Sequence, residues 1–317
     1  MRVSVVVCTR NRAEQLKRVL DSAVDLKIPD GLAWEFLLVD NGSVDHTAAV
    51  AASYADRLPI RCVREETPGL SNARNRAVAE ARGAYICWTD DDVLIDSDWL
   101  AAYAEAFDRH PEAAFFGGVI EPVLEGEPPA WFKENWSRLS NIMAERNFGD
   151  QVVPLSQENE RMPYGANYAV RTREQRETLY DPTLGVSPGH RRLGEESDVL
   201  LKMLQAGGVG FWVPKARVRH MIPRSRQTLR YVRVYQQLAG ETWAYLSANS
   251  SESFFGPSIP KGGSALFGAP RWLWREAARH WVLFTLKRPV SASKIWLDHW
   301  CQAAYCWGAI TYFRRRS

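Results

Sequence analysis

Residues 3–8 form an apolar run that stops abruptly at the polar turn Thr9-Arg10-Asn11-Arg12. Apolar positions then recur at helical spacing, with Leu16, Val19, Leu20 and Ala23 on one face. A second short apolar run, 34–39, closes in Asp40-Asn41-Gly42-Ser43, and Ser43 is placed to cap a helix over 48–54. The same pattern predicts a third strand at 60–63, a third helix at 71–81 and a fourth strand at 84–88 that ends in Thr89-Asp90-Asp91-Asp92. Strands alternating with helices at this spacing predict a parallel sheet with right-handed crossovers. Ligands of open α/β sheets sit beyond the carboxyl ends of the strands. One mouth therefore collects Thr9–Arg12, Asp40–Ser43 and Asp90–Asp92.

The pattern loosens over 121–161, where Pro, Trp and Asn accumulate; loops of that length are usually functional. A turn at Tyr164-Gly165-Ala166-Asn167, a helix over 195–205 and a strand over 210–213 follow, leading to Arg217-Val218-Arg219-His220. From about Gln227 the pattern is helical, interrupted by a Gly/Ser/Pro-rich stretch at 250–268.

Composition changes this picture little: 46% of the 317 residues are hydrophobic, 24% are charged, and the formal net charge is +3. That balance does not suggest a nucleic-acid binder. Five cysteines without a CxxC pair signal neither a disulfide framework nor a zinc ribbon, and a reducing compartment is the simplest reading. The first apolar run is too short for a signal peptide and is followed by Arg10 and Arg12 without a small-residue cleavage site. The longest uncharged stretch, 300–313, is shorter than the roughly 20 residues a spanning helix needs.

Candidate chemistry narrows the function. No GxGxxG follows a strand and no GxxxxGK[ST] is present, which removes most support for dinucleotide dehydrogenases and P-loop ATPases. Three consecutive carboxylates repel one another, and at a strand end they suit a hard divalent cation, Mg²⁺ or Mn²⁺, completed by water and phosphate oxygens.

Val5-Val6-Val7-Cys8-Thr9-Arg10-Asn11-Arg12, Leu38-Val39-Asp40-Asn41-Gly42-Ser43, Gly69-Leu70-Ser71-Asn72-Ala73-Arg74-Asn75 and Thr89-Asp90-Asp91-Asp92 together resemble family 2 glycosyltransferases. Tyr164-Gly165-Ala166-Asn167-Tyr168-Ala169-Val170-Arg171 and Gly194-Glu195-Glu196-Ser197-Asp198 extend the resemblance, which covers residues 1 to about 220. It implies a GT-A fold: a Rossmann-like, mostly parallel sheet flanked by helices. It also implies a nucleotide-diphosphate sugar donor, a UDP-sugar for preference, together with a divalent metal and inversion at the anomeric carbon. The expected organisation is a catalytic domain over 1–225, with a nucleotide-sugar half to about 120 and an acceptor half beyond. A helical, Trp- and Arg-rich appendage over 226–317 follows it.

By the same resemblance, Asp40 meets the base or ribose, and Thr9 and Arg10 suit the nucleoside end. Arg74 lies near the nucleotide, where a guanidinium makes planar bidentate contacts; Arg76 and Arg82 read as surface charges, and Arg12 as a solvated first-turn charge. Asp90 and Asp92 align with a DxD motif, Asp92 touching the metal and Asp90 reaching ribose or a metal-bound water. Asp91 fills the middle of that donor-side triplet. Glu195 and Glu196 stand where the family commonly has Glu-Asp, the second acid being the catalytic base. Here that base is Glu196 or, given the longer side chain, Glu195, with Asp198 supporting from behind. Carboxylates in a first helical turn are also favoured by the helix dipole alone. His220 is either an ordinary polar residue or a further metal ligand, and Asn167 a contact for donor or acceptor hydroxyls.

The resulting expectation is an inverting transferase in cell-surface polysaccharide or glycolipid assembly, acting on a glycan or lipid-linked acceptor. A sugar nucleotidyltransferase, a glycoside hydrolase and a non-catalytic nucleotide-sugar-binding module are the competing readings. Residues 271–317 carry nine Lys and Arg against two Asp and Glu, or +7, leaving −4 for residues 1–270. Six of the 13 tryptophans lie in that basic tail. Its composition fits either core packing or an interfacial membrane helix, and hence a cytoplasmic enzyme peripheral to the inner membrane face.

Overall fold

The computed structural model describes residues 1–158, 161–249 and 264–316. The chain divides into two compact units, one formed by Met1–Val123, Met143–His190 and Gly194–Met221, the other by Leu124–Ile142, Arg191–Leu193 and Ile222–Ser317.

The first half of the first unit runs β1 (Val3–Thr9), α1 (Ala13–Val24), β2 (Trp34–Asp40), α2 (Thr47–Ala52), β3 (Ile60–Arg64), α3 (Leu70–Glu80) and β4 (Tyr85–Thr89). It continues through β5 (Val93–Ile95), α4 (Trp99–Arg109) and β6 (Phe115–Leu124). The chain then supplies two short helices to the second unit, α5 (Ala130–Glu134) and α6 (Trp136–Leu139). It returns with β7 (Pro154–Leu155), β8 (Asn167–Arg171), α7 (Thr172–Glu177), the small pair β9 (Val186–Ser187) and β10 (His190–Arg191), α8 (Glu195–Gln205) and β11 (Gly210–Ile222).

The main sheet has the order β3-β2-β1-β4-β8-β6-β11-β5, with β7 paired to β11. β3, β2, β1 and β4 are mutually parallel, as the alternating pattern predicts. β8 runs antiparallel to both β4 and β6, and β11 antiparallel to β5 and β7. The last strand is much longer than the 210–213 expected, extending through His220 to Ile222.

Continuous apolar runs form these strands because both faces of the sheet are covered. Val3, Val5 and Val7 of β1, with Phe36 and Leu38 of β2, face one layer, packed with Leu16, Val19 and Leu20 of α1 and Trp99, Leu100 and Tyr103 of α4. The alternate residues Val6, Leu37 and Val39 face the other layer, packed with Ala73, Ala77 and Val78 of α3 and Val199, Leu200 and Met203 of α8. The two-residue period of the strand thus divides one hydrophobic run between two cores. Ser43 does not cap α2. The Asp45 carboxylate accepts from the Thr47 amide (3.0 Å), while the Ser43 hydroxyl accepts from the Asn11 amide (2.9 Å) and ties the β1 turn to the β2 turn.

Asn167 is a correction to the expected sugar contact. It is fully buried. Its amide donates to the Val119 and Ala216 carbonyls, and its oxygen accepts from the Trp99 indole and the Tyr103 hydroxyl, each at 2.8 Å. No donor or acceptor is left for a ligand. Gly118 makes room for it, since a Cβ there would lie 2.5 Å from the Asn167 amide nitrogen and 2.3 Å from the Ala216 carbonyl.

In the second unit α9 (Leu229–Asn249), a hairpin of β12 (Ala265–Leu266) and β13 (Ala269–Pro270), α10 (Arg271–Lys287) and α11 (Ser293–Arg316) follow one another. The expected Gly/Ser/Pro-rich interruption at 250–268 falls partly on that hairpin, and its 250–263 portion lies outside the described residues. Trp243, Leu273, Ala309 and Ile310 form the centre of this unit. Among the described residues no helix is long and apolar enough to cross a membrane.

Asn167→Ala leaves four buried groups without partners and is expected to cost about 3–5 kcal/mol. Urea unfolding should show a lower midpoint at unchanged slope; an unmoved midpoint would show that this amide is not the tie between β6, β8, β11 and α4.

Candidate active site

Strand register assembles the mouth. Thr9 pairs with Asp40, Asp40 with Arg64, and Val7 with Thr89. Asp90 and Asp91 therefore continue beside the end of β1. Asp40 is buried, its Oδ1 accepting from the Ser43 amide (2.9 Å) and its Oδ2 lying 3.4 Å from the Arg64 guanidinium. Asn41 donates to the Glu65 and Thr67 carbonyls and accepts from the Gly69 amide, fixing the loop that enters α3. Arg10 is solvent-exposed.

Asp91 is turned inward, accepting from the Thr9 hydroxyl (2.7 Å) and from Arg12 (2.5 Å). Arg12 is accordingly not the solvated charge expected: its guanidinium bridges Asp91 and Asp92, the latter at 3.4 Å. The chemistry is legible once β1 and β4 are neighbours, because a cation at one strand end then faces the acidic triplet at the next. Burial and the Asp92 charge lift the Asp91 carboxyl to about 6 against the pull of Arg12.

Arg74 occupies the centre. Its buried guanidinium lies 3.0 Å from Glu195 Oε1 and 3.5 Å from Asp90 Oδ1, with the Tyr180 ring 5.4 Å and the Trp88 ring 5.9 Å away. Gly165 permits this placement, since a Cβ there would sit 2.8 Å from the guanidinium. Tyr168 and Tyr180 hydrogen-bond each other beside it. Tyr168 lies within the 164–171 motif without a role of its own, and Tyr180 lies outside every motif.

Gly194 caps the start of α8, and its φ of +88° favours glycine. Glu195 stands one and two helical turns before Val199 and Met203, so it heads the buried face, whereas Glu196 is half-buried. Burial and the neighbouring Glu196 charge raise the Glu195 carboxyl to about 7, opposed by Arg74. Asp198 pairs with Lys202 at 2.6 Å on its own helix, and Arg76 with Glu80 at 2.9 Å.

His220 is buried on β11, beside β5. Its Nδ1 lies 3.0 Å from the Met143 carbonyl and its Nε2 3.5 Å from Asp92 Oδ1. A carbonyl can only accept, so Nδ1 carries the hydrogen toward Met143, and Nε2 is the ring nitrogen that faces Asp92. That donor pair fits a divalent cation that keeps open positions for water and phosphate. Among the described residues no cluster of three His, Cys, Asp or Glu side chains is arranged to hold a metal by itself.

Residues 4–159 match the sequence model of glycosyl transferase family 2. The fold is that of GT-A glycosyltransferases. It is similar to the mannosyltransferase PcManGT from Pyrobaculum calidifontis, solved with GDP-Man and Mn²⁺, with TM-score 0.63 and 18% identity, covering 100% of this chain and 88% of that one. S. aureus TarS 1-349 with UDP-GlcNAc gives TM-score 0.55 and 18% identity, over 100% and 91%. The succinoglycan biosynthesis protein ExoM of Rhizobium meliloti is 24% identical over 79% of this chain and 77% of its own. Matches to y4gI of Sinorhizobium fredii (37% identical) and the cholesterol galactosyltransferase of Borreliella burgdorferi (33%) cover 33% and 31% of this chain, which spans 12% and 27% of their lengths. Over residues 4–159 the chain belongs to glycosyl transferase family 2.

A carboxyl raised in the folded state favours folding most fully below its unfolded value and loses that contribution as pH rises through its folded one. For Glu195 the window runs from 4.5 to about 7. Wild-type stability should therefore fall relative to Glu195→Gln between pH 5 and 8, by about 3 kcal/mol. Parallel Tm curves for the two proteins across that range would contradict the assignment.

Proposed function

We propose that this protein transfers a sugar from a nucleotide-diphosphate donor to an acceptor hydroxyl by a single inverting displacement. The observation that carries the reading is the convergence of Asp40, Arg74, Asp90, Asp92, His220 and the Glu195-Glu196 pair around the carboxyl ends of β1, β2 and β4. Ligands of open α/β sheets bind there, and the solved relatives named above were captured with nucleotide sugars.

Asp40 and the Thr9 end of β1 bind the nucleoside, and exposed Arg10 adds a charge at that end. Asp92 and His220 would hold a divalent cation, Mn²⁺ or Mg²⁺, with Asp90 reaching the ribose or a water of its shell. When bound, that cation would act as a Lewis acid on the diphosphate oxygens. Asp91 serves the donor side indirectly, locking Thr9 and Arg12 so that Asp92 keeps its position.

The two glutamates divide the remaining chemistry. Glu195 is spent on Arg74, so it orients the guanidinium that faces the departing diphosphate, whose negative charge grows as the glycosidic bond breaks. Glu196 stands outside that ion pair and is half-buried, as a base that must reach an incoming hydroxyl requires. The hydroxyl oxygen attacks the anomeric carbon as Glu196 accepts its proton, and the diphosphate leaves from the opposite face. The relatives ExoM, a succinoglycan biosynthesis protein, and TarS, a poly(ribitol-phosphate) beta-N-acetylglucosaminyltransferase, support a place in polysaccharide or glycolipid assembly, with a glycan or lipid-linked acceptor. The basic, Trp-rich helices support a peripheral position at the cytoplasmic membrane face.

A screen of UDP- and GDP-sugars for donor turnover with Mn²⁺ or Mg²⁺ tests this without an acceptor. Turnover should vanish with a chelator and fall at least about 100-fold in Asp92→Asn. Glu196→Gln should lower kcat by about 100-fold or more with donor Kd retained. Turnover that survives both the chelator and Asp92→Asn would sink the metal assignment, and a fully active Glu196→Gln the choice of base.

A further inference from the structure

The second unit contains a cavity of about 430 Å³, within the roughly 300–1,000 Å³ typical of small-molecule sites. Trp274 and Trp281 of α10 and Trp300 and Trp307 of α11 line it, together with Arg233 and Gln237 of α9. Trp281 and Trp307 remain 52% and 46% exposed while lining it, so the wall of the cavity reaches the surface. Its walls are fixed by backbone contact. A Cβ on Gly308 would lie 1.9 Å from the Gln237 carbonyl, and one on Gly240 equally close to that of Tyr305. The cavity is thus built into the α9–α11 crossing, which neither helix can relax by sliding apart without losing that contact.

Two features specify the occupant. The interior is indole and alanine surface, which a hydrocarbon chain fills and water does not. At its edge stands Arg233, solvent-exposed and 5.8 Å from the Trp300 ring, with no carboxylate paired to it among the described residues. Gln237 adds an amide. Val282 and Leu286, one helical turn apart on α10, are 52% and 64% exposed and extend the apolar surface outward, and Arg275, Arg279 and Arg288 lie on or next to the same helix. A guanidinium beside an apolar cavity matches an anion attached to an apolar tail, and phosphate suits its fork of donors.

We propose that this cavity binds one hydrocarbon chain of a phosphate-headed lipid, with Arg233 and Gln237 meeting the head group. The four tryptophans wrap the tail. Binding here requires no sugar donor, so the site stands or falls separately from the transfer reaction proposed above.

Alkyl phosphates of eight, ten and twelve carbons, added to the full chain below their micelle concentrations, test it through intrinsic tryptophan fluorescence and calorimetry. Affinity should rise about fourfold per methylene until the cavity is full. An alkyl maltoside of equal chain length should bind at least about tenfold more weakly, and inorganic phosphate should not compete. Arg233→Gln should abolish the preference for phosphate over maltoside. Ala278 lines the cavity and is exposed, so Ala278→Phe fills the space without disturbing a packed core and should remove binding at unchanged Tm. Ala304, buried on the opposite wall, gives a second filling variant, Ala304→Phe, for which equal Tm must first be shown. Affinity independent of chain length, or undiminished in Ala278→Phe, overturns the proposal. Equal affinity for phosphate and maltoside overturns the role of Arg233.

Discussion

Arg74 is the residue on which the site depends. Burying a guanidinium is expensive unless charges and hydrogen bonds replace its water, and Glu195 and Asp90 approach it at 3.0 and 3.5 Å. These three groups come from α3, from the start of α8 and from the end of β4, which are far apart in the chain. The ion pairs are therefore folding constraints as much as binding chemistry. If α8 were displaced, Glu195 would leave a buried cation behind; if β4 slipped, Asp90 would do the same. Tyr180 and Trp88 complete the enclosure with aromatic faces that favour a cation.

A second layer of constraint comes from strand register. Asp40 sits between Thr9 and Arg64 because all three end neighbouring parallel strands. Asp91 reaches Thr9 because β4 lies on the other side of β1. In this arrangement the acidic triplet is not uniform. Its middle member is consumed inward by Thr9 and Arg12, and its outer members face Arg74 and His220. Three adjacent carboxylates are tolerable because each has a different cation or donor opposite it.

The parallel half of the fold is legible because its strands are continuous apolar runs closed by polar turns, a pattern that a sheet covered on both faces produces. The antiparallel half is not. Its strands are assembled from distant segments, and β11 reads as a strand only at its start because Lys215, Arg217 and Arg219 alternate with buried positions beyond it. The same difference separates the site residues. Asp40 and Arg74 sit in motifs with local spacing, whereas Arg12 acquires its role from a neighbour 79 residues away. Asn167 misleads for the opposite reason: a polar residue in a motif-like turn reads as a ligand contact, whereas its four hydrogen bonds join segments no local pattern connects. Glu195 is the recoverable case, since its spacing with Val199 and Met203 places it on the buried face of α8.

That spacing also bears on why a Glu-Glu pair can stand where the resemblance to the family implies Glu-Asp. Successive residues on a helix point about 100° apart, so the two side chains cannot play the same part. If Glu195 faces the core and Arg74, Glu196 must face another way. The extra methylene at Glu196 changes reach rather than direction. It would move the carboxylate outward along the line already set by the helix, toward a hydroxyl held slightly farther from the anomeric carbon. If Glu196 is the base proposed above, the longer side chain accommodates the geometry of the acceptor rather than that of the donor, whose side is held by the ion pairs of Arg74.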